Sequence, residues 1–362
     1  MPIGSATTAA DDQKSRGTPV RPNDLPPTAG QAIVAAMTSP DRGHAEPWPR
    51  LDVGGGAETS QSLLFWGQIL GKTRLALSPM VNHWWQVSLR TTARGLTTTP
   101  MPIGDRVLDI ELDFIDHRLV ARTSDGGVET IGLCDQPLSQ FYDEYMRRLV
   151  NLGVKVKIDP LVVEIVDRVR LDQDPRICRY DPDWANRFFR ALLQADRLLK
   201  EFRGRFSGKA SPVHFFWGAG DLAATRFSGR SAPPHPGGVP HVADRVMREA
   251  YSQEVSSAGF WAGDARFPEA AFYAYAYPSP AGFAEARVRP AAARYEAALG
   301  EFVLPYAAVR GAADPSAEVL AFLQSSYEAA ADLAQWDRPR LERDEANATR
   351  PDDRAPRAAG RS

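Results

Sequence analysis

The sequence predicts an α+β fold, with antiparallel sheets flanked by helices. Two observations carry this. Four stretches repeat apolar residues at helical spacing, and shorter stretches between them alternate with period two, one pair joined by a hairpin turn.

The first helix is read from "TSQSLLFWGQIL", where Leu63, Trp66 and Leu70 share a face. The second is "QPLSQFYDEYMRRLVNLG", with Leu138, Phe141, Tyr145, Leu149 and Leu152 on one side and Gly153 as its stop. "DPDWANRFFRALLQADRLLKEF" opens on Asp181 as cap and Pro182 in the first turn, then repeats Phe188, Leu192, Ala195, Leu199 and Phe202. "DPSAEVLAFLQSSYEAAADLAQW" starts the same way at Asp314 and Pro315.

Strands fill the intervals. "LDIELDF" sets Leu108, Ile110, Leu112 and Phe114 against Asp109, Glu111 and Asp113. "RLVART" follows, and "SDGG" turns it into "VETIGL". In "AFYAYAY", Tyr273, Tyr275 and Tyr277 share one face, with Phe272, Ala274 and Ala276 opposite.

Laid end to end, two halves (51–170 and 171–336) both read helix, strands, helix. "SPMVNHWWQVSLRTTARGL" and "SPVHFFWGAGDLAATRFSG" suggest a pseudo-repeat that pairs His83 with His214 and Arg94 with Arg226. Residues 51–336 are read as a single globular unit. Residues 1–50, rich in Pro, Thr, Ala and Gly, and the charged stretch 337–362 are expected to be disordered tails.

Composition narrows the function classes. A net charge of -2 gives no electrostatic reason to expect nucleic acid. No apolar run approaches the roughly 20 residues that span a bilayer, and the start lacks the apolar core of a signal peptide. Cys134 and Cys178 stand far apart and outside zinc spacing, so a reducing cytoplasm is the expected setting.

Some motifs fail. Gly71-Lys72-Thr73 imitates a phosphate loop, but Trp66 stands where that loop needs glycine and a helix precedes it. "GGG" at 54–56 reads as a turn, and no Gly-x-Ser-x-Gly elbow occurs. In "LDFIDHR", Asp113 and His117 could form an acid–base pair, while the plainer reading is a polar strand face with Arg118 and Arg122 paired to the acids.

The richest stretch is "SPVHFFWGAGDLAATRFSGRSAPPHPGG". His214 and Asp221 are candidate catalytic residues. Arg226, Arg230, His235 and Glu254, with His83 and Arg94 from the first half, are candidate ligand-binding residues. The proline-rich loop is stiff and should fold back over that face. His235 and His241 could join Asp244 or Glu254 around a metal, but no recognised metal motif is present and no metal is assigned. No cofactor is assigned either.

"KTRLALSPMVNHWWQVSL", "DFIDHRLVARTSDG", "ALLQAD", "SPVHFFWGAGDLAATRFSGR" and "APPHPGG" resemble an uncharacterised bacterial family catalogued only as a domain of unknown function, over about residues 48 to 336. The resemblance implies one unit across that span and carries no activity or ligand. The residues themselves point to a small-molecule pocket for an anionic ligand, with catalysis left open. The alternative is a non-catalytic structural or protein-interaction domain. Oligomeric state is not readable.

Overall fold

A computed structural model describes residues 46–343 apart from 265 and 266. From Pro47 onward these belong to one unit. The disorder expected of the tails concerns mainly residues 1–45 and 344–362, which lie outside the described residues. At both ends the fold runs past the expected boundary. Trp48 packs on Phe272 and Tyr306, and a short helix forms at Arg338–Leu341.

Helix α1 (Val53–Leu77) is central and buried along most of its length. It begins earlier than its apolar spacing predicts, because Asp52 caps it and Gly54–Gly56 form its first turn. The glycines are there for closeness rather than for a turn. A Cβ on Gly56 would lie 1.9 Å from Nε1 of Trp184, and one on Gly71 would lie 2.0 Å from the Trp217 ring. Gly71-Lys72-Thr73 is therefore helix interior, as its exclusion from phosphate binding requires.

A 3-10 turn at Asn82–Val87 leads into the first sheet. Its strands are β1 (Arg90–Thr91), β2 (Gly95–Thr97), β3 (Met101–Ile103), β4 (Arg106–Asp113), β5 (Arg118–Thr123) and β6 (Val128–Gly132), all antiparallel. The apolar row Leu108, Ile110 and Leu112 is buried, as alternation demands. The acidic row is paired off: Asp109 with Thr97 at 2.5 Å, Glu111 with Thr92 at 2.7 Å, Asp113 with Arg94 at 2.7 Å. Helix α2 (Leu138–Asn151) follows, ending as expected before Gly153 in the left-handed region. The two-residue strands β7 (Gln136–Pro137) and β8 (Ile177–Cys178) pair beside it.

Helix α3 (Pro182–Gly204) starts on the Asp181 cap. The second sheet comprises β9 (His214–Phe216), β10 (Asp221–Ser231), β11 (Gln253–Trp261), β12 (Ala271–Tyr277), β13 (Arg294–Glu296) and β14 (Glu301–Pro305), in spatial order 9-10-11-12-14-13. Helix α4 (Asp244–Ala250) lies between β10 and β11, α5 (Tyr306–Gly311) and α6 (Pro315–Leu333) follow β14, and α7 is Arg338–Leu341. One face of this sheet, with Leu222, Ala224, Phe260, Phe272 and Leu304, joins the main apolar core with α3 and α6.

Both halves run helix, antiparallel strands, helix, but the residues paired by the repeat are not equivalent. His83 lies in a 3-10 turn with φ 59°, whereas His214 begins a strand. Arg94 sits in the turn between β1 and β2, whereas Arg226 is inside β10. The strand orders also differ, since β14 is inserted between β12 and β13 while the first sheet is a meander. The two Ser-Pro-His stretches are instead neighbours, joined where Leu89 and Phe215 exchange backbone hydrogen bonds of 2.9 Å.

Candidate functional site

The second sheet turns alternate residues to the face opposite α3 and α6. On it stand Asp221, Ala223, Thr225 and Phe227 of β10, Val255, Ser257 and Trp261 of β11, Tyr273 and Tyr275 of β12, and Glu301 and Val303 of β14. They floor a cavity of about 500 Å³. Its roof has three parts: His83, Trp84 and Trp85 from the 3-10 turn, Glu164, and the stretch Val239–Tyr251 that includes α4. The proline- and glycine-rich loop expected over this face, residues 232–238, does not line the cavity; the stretch that follows it does. Tyr277 fixes the loop by donating to the Pro233 carbonyl at 3.0 Å.

Three carboxyl groups face this cavity: Glu164, Asp221 and Glu301. Among the described residues none of them has an ion-pair partner. Burial in low-dielectric surroundings, reinforced by the charge of Asp221, pushes Glu164 and Glu301 up to about 7. Burial raises Asp221 to about 6 against the opposing hydrogen bond from Tyr273. Glu164 is exposed by accessible surface although protein atoms surround it, so solvent screening limits the size of the rise in its proton affinity and leaves its upward direction.

Each acid is positioned by identifiable contacts. Gln68, buried in α1, exchanges two hydrogen bonds with the Val163 backbone, at 2.7 and 3.0 Å. The Glu164 amide donates to the Pro240 carbonyl at 2.8 Å, and Glu164 itself takes a left-handed φ of 63°. Gly218 leaves the space its carboxylate fills, since a Cβ there would lie 2.0 Å from Oε1 of Glu164. Asp221 accepts a hydrogen bond from the Tyr273 hydroxyl, which crosses β11 over Gly259. A Cβ on Gly259 would come within 2.5 Å of the Tyr273 oxygen.

The tyrosines form an ordered wall. The Tyr273 and Tyr275 rings lie nearly parallel with centroids 6.2 Å apart, and the Tyr275 and Tyr251 hydroxyls are 2.8 Å apart. Burial drives all three phenols above their usual proton affinity, so they stay neutral. At the other end, His83 and Trp84 both adopt left-handed backbone, with φ of 59° and 61°. Such conformations cost on the order of 1–3 kcal/mol each and need support from their surroundings. Helix α4 supplies it: the His83 amide donates to Glu249 at 3.2 Å, and Nδ1 lies 3.0 Å from the Ala250 carbonyl. Nε2 lies 2.6 Å from the Lys209 ammonium, and burial lowers the His83 proton affinity, so the ring accepts from Lys209.

Of the candidate site residues, Asp221 and His83 line the cavity. His235 stacks on Tyr251 at 4.9 Å, behind the wall. His214 is fully buried beside Trp85, 5.9 Å away. Arg226 lies on the opposite face of the sheet, because five residues separate it from Asp221 and strand parity reverses. Its guanidinium is clasped by Phe202 at 3.5 Å and Tyr327 at 4.3 Å, and it donates to the Phe202 carbonyl. Arg230 pairs with Glu254 at 2.6 Å and donates to the Ala334 carbonyl at 2.6 Å, closing the end of α6. Glu254 edges a separate hollow of about 210 Å³. Arg94 serves the first sheet, bound to Asp113 at 2.7 Å and Asp116 at 2.8 Å.

Asp113 and His117 do not meet as an acid–base pair. Asp113 is held by Arg94, and His117 bonds the Tyr180 hydroxyl at 2.8 Å. His241 reaches the Val166 carbonyl at 3.3 Å, and His235 accepts from the Gly237 amide at 3.0 Å. Among the described residues no three His, Cys, Asp or Glu side chains are grouped to hold a metal.

Glu164 and Glu301 were not singled out from the sequence. Glu301 could have been: in "EFVLP" it shares parity with Val303, which pairs with Tyr273. Glu164 sits in an irregular connection with no periodic signal.

No curated protein and no solved structure matches this chain. Residues 48–343 match a family of unknown function (DUF5996), and since they make up most of the sequence the chain belongs to that family.

Proposed function

We propose that this protein binds a small organic cation, an amine or quaternary ammonium with an apolar body, in the cavity over the second sheet. The observation that carries the reading is the trio Glu164, Asp221 and Glu301, which face one cavity, Asp221 and Glu301 half-buried and Glu164 exposed, with no ion-pair partner among the described residues. Like charges crowded into one cavity repel each other, and an incoming cation is the partner that relieves them. The remaining lining is aromatic and aliphatic, including Trp85, Phe216, Trp261 and Tyr273, which suits cation–π contact.

The anionic ligand expected from Arg226 and Arg230 fits this cavity poorly. Neither arginine lines it, and both have partners elsewhere. Raised carboxyl groups also suit proton transfer, but no nucleophile–base pair stands among the lining residues, so binding is favoured over catalysis. Two free cysteines support a reducing, cytoplasmic setting. Among the described residues no helix is long and apolar enough to cross a membrane.

The test is a thermal-shift screen of the full chain with small amines, quaternary ammonium ions and carboxylates at matched ionic strength. The reading expects stabilisation by cations, lost in Glu301→Gln. Stabilisation by carboxylates alone would refute it.

A further inference from the structure

A second cluster lies outside the cavity, where the two sheets meet. The hydrogen bonds between Leu89 and Phe215 make β1 and β9 antiparallel neighbours, so Arg90 stands opposite His214. Arg90 donates to the Val213 carbonyl at 2.8 Å, and Arg203 of α3 donates to the Ser211 carbonyl at 2.6 Å. Both guanidinium groups are thereby anchored on the three residues that precede His214. Arg74 of α1 reaches the Gln86 carbonyl at 2.6 Å and the Thr99 hydroxyl at 2.7 Å.

Two features separate this cluster from ordinary structural arginines. Among the described residues, none of the three has a carboxylate within ion-pair distance, unlike neighbours such as Arg94 and Arg205, which pair with Asp113 and Glu201. His214 has no accessible surface, and neither of its ring nitrogens has a hydrogen-bond partner. A buried imidazole with two unmet polar atoms is a costly arrangement unless something completes it.

We infer that Arg74, Arg90, Arg203 and His214 form a binding site for a phosphate-type oxyanion, separate from the cation cavity. Three guanidinium groups supply bidentate donors for the anion's oxygens, and the neutral His214 ring supplies an N–H. Depth is graded: Arg74 and His214 are buried, Arg90 is half-buried and Arg203 is exposed, which gives the anion an entry side.

The electrostatics agree with the geometry. Burial, followed by the charges of Arg90, Arg74 and Arg203, pushes His214 down to about 2, so the ring is uncharged. Burial and mutual repulsion bring Arg74 and Arg90 down to about 10. Asp109 and Asp196 offset this only from a distance. Asp109 is held by Thr97 at 2.5 Å, and Asp196 pairs with Lys200 at 2.5 Å.

The site does not rest on the cation reading, and its test uses no cation ligand. The full chain is titrated with inorganic phosphate, and in a parallel arm with glycerol phosphate, against potassium chloride of equal ionic strength. Calorimetry and the nitrogen chemical shifts of the His214 ring are the readouts. Saturable binding that moves the His214 resonances is expected. Affinity should fall at least about tenfold in Arg203→Gln and in Arg90→Gln and stay unchanged in Arg122→Gln, an arginine of the first sheet. Tighter binding of glycerol phosphate would identify the phosphoryl group of a larger molecule, and tighter binding of phosphate the free anion. Heat and shifts that match chloride, or equal affinity in Arg203→Gln, would overturn the site. Because Arg203 is exposed, its variant tests the site even if Arg90→Gln fails to fold.

Discussion

Replacing Asp221 by Asn should remove the pH dependence that this carboxyl imposes on stability. Its proton affinity rises from 3.8 in the unfolded chain to about 6 in the fold, mainly by burial. A raised carboxyl contributes stability in full below its unfolded value and loses it as pH climbs through the folded one. The shift is about two units at roughly 1.4 kcal/mol each, so about 3 kcal/mol is lost between about pH 4 and pH 7. Asn keeps the shape, still accepts from Tyr273 and does not titrate. The exchange also removes a charge that raises Glu164 and Glu301, which adds in the same direction. Denaturant unfolding of both proteins across this range gives the difference, in which contributions from His83 and His214 cancel. The variant should gain on the wild type by about 3 kcal/mol or somewhat more as pH rises through neutrality. A difference that is flat or falls with pH would refute the reasoning.

Gly259→Ala would bring a methyl group within 2.3 Å of the Leu222 carbonyl and 2.5 Å of the Tyr273 oxygen, so it should strain the β10–β11 pairing as well as displace Tyr273, lowering both the melting temperature and cation-induced stabilisation in a thermal-shift assay. Gly56→Ala meets Trp184 at 1.9 Å and should cost at least about 1–3 kcal/mol in denaturant unfolding, with cation binding retained. Arg226→Leu should lower the melting temperature by removing the aromatic clasp, at a cost of about 2–4 kcal/mol, and leave the cavity's ligand response unchanged.

Much of the fold was legible because periodicity is a local property. The Asp181 and Asp314 caps, the alternation through β4 and the tyrosine face of β12 all stand where spacing places them. The extent of α1 was hidden, because glycines that normally break helices serve here to admit Trp184 and Trp217. In the site, Asp221 and the tyrosines were readable from strand parity. The same parity separates Asp221 from Arg226, and that separation removes the basis for an anion in this cavity. The left-handed turn at His83 and the irregular path to Glu164 depend on tertiary contacts with Glu249, Pro240 and Gln68, which no local pattern announces.

The most direct test of the cation reading is calorimetry of the full chain with choline and with its uncharged analogue, in which carbon replaces the ammonium nitrogen, near neutral pH in two buffers of different ionisation enthalpy. Choline should bind at least about tenfold tighter, since the charge is what the three carboxyls recognise. Its binding should release about one to two protons as Glu164, Asp221 and Glu301 ionise together. Equal affinity for the two compounds, or binding of choline without proton release, would contradict the account.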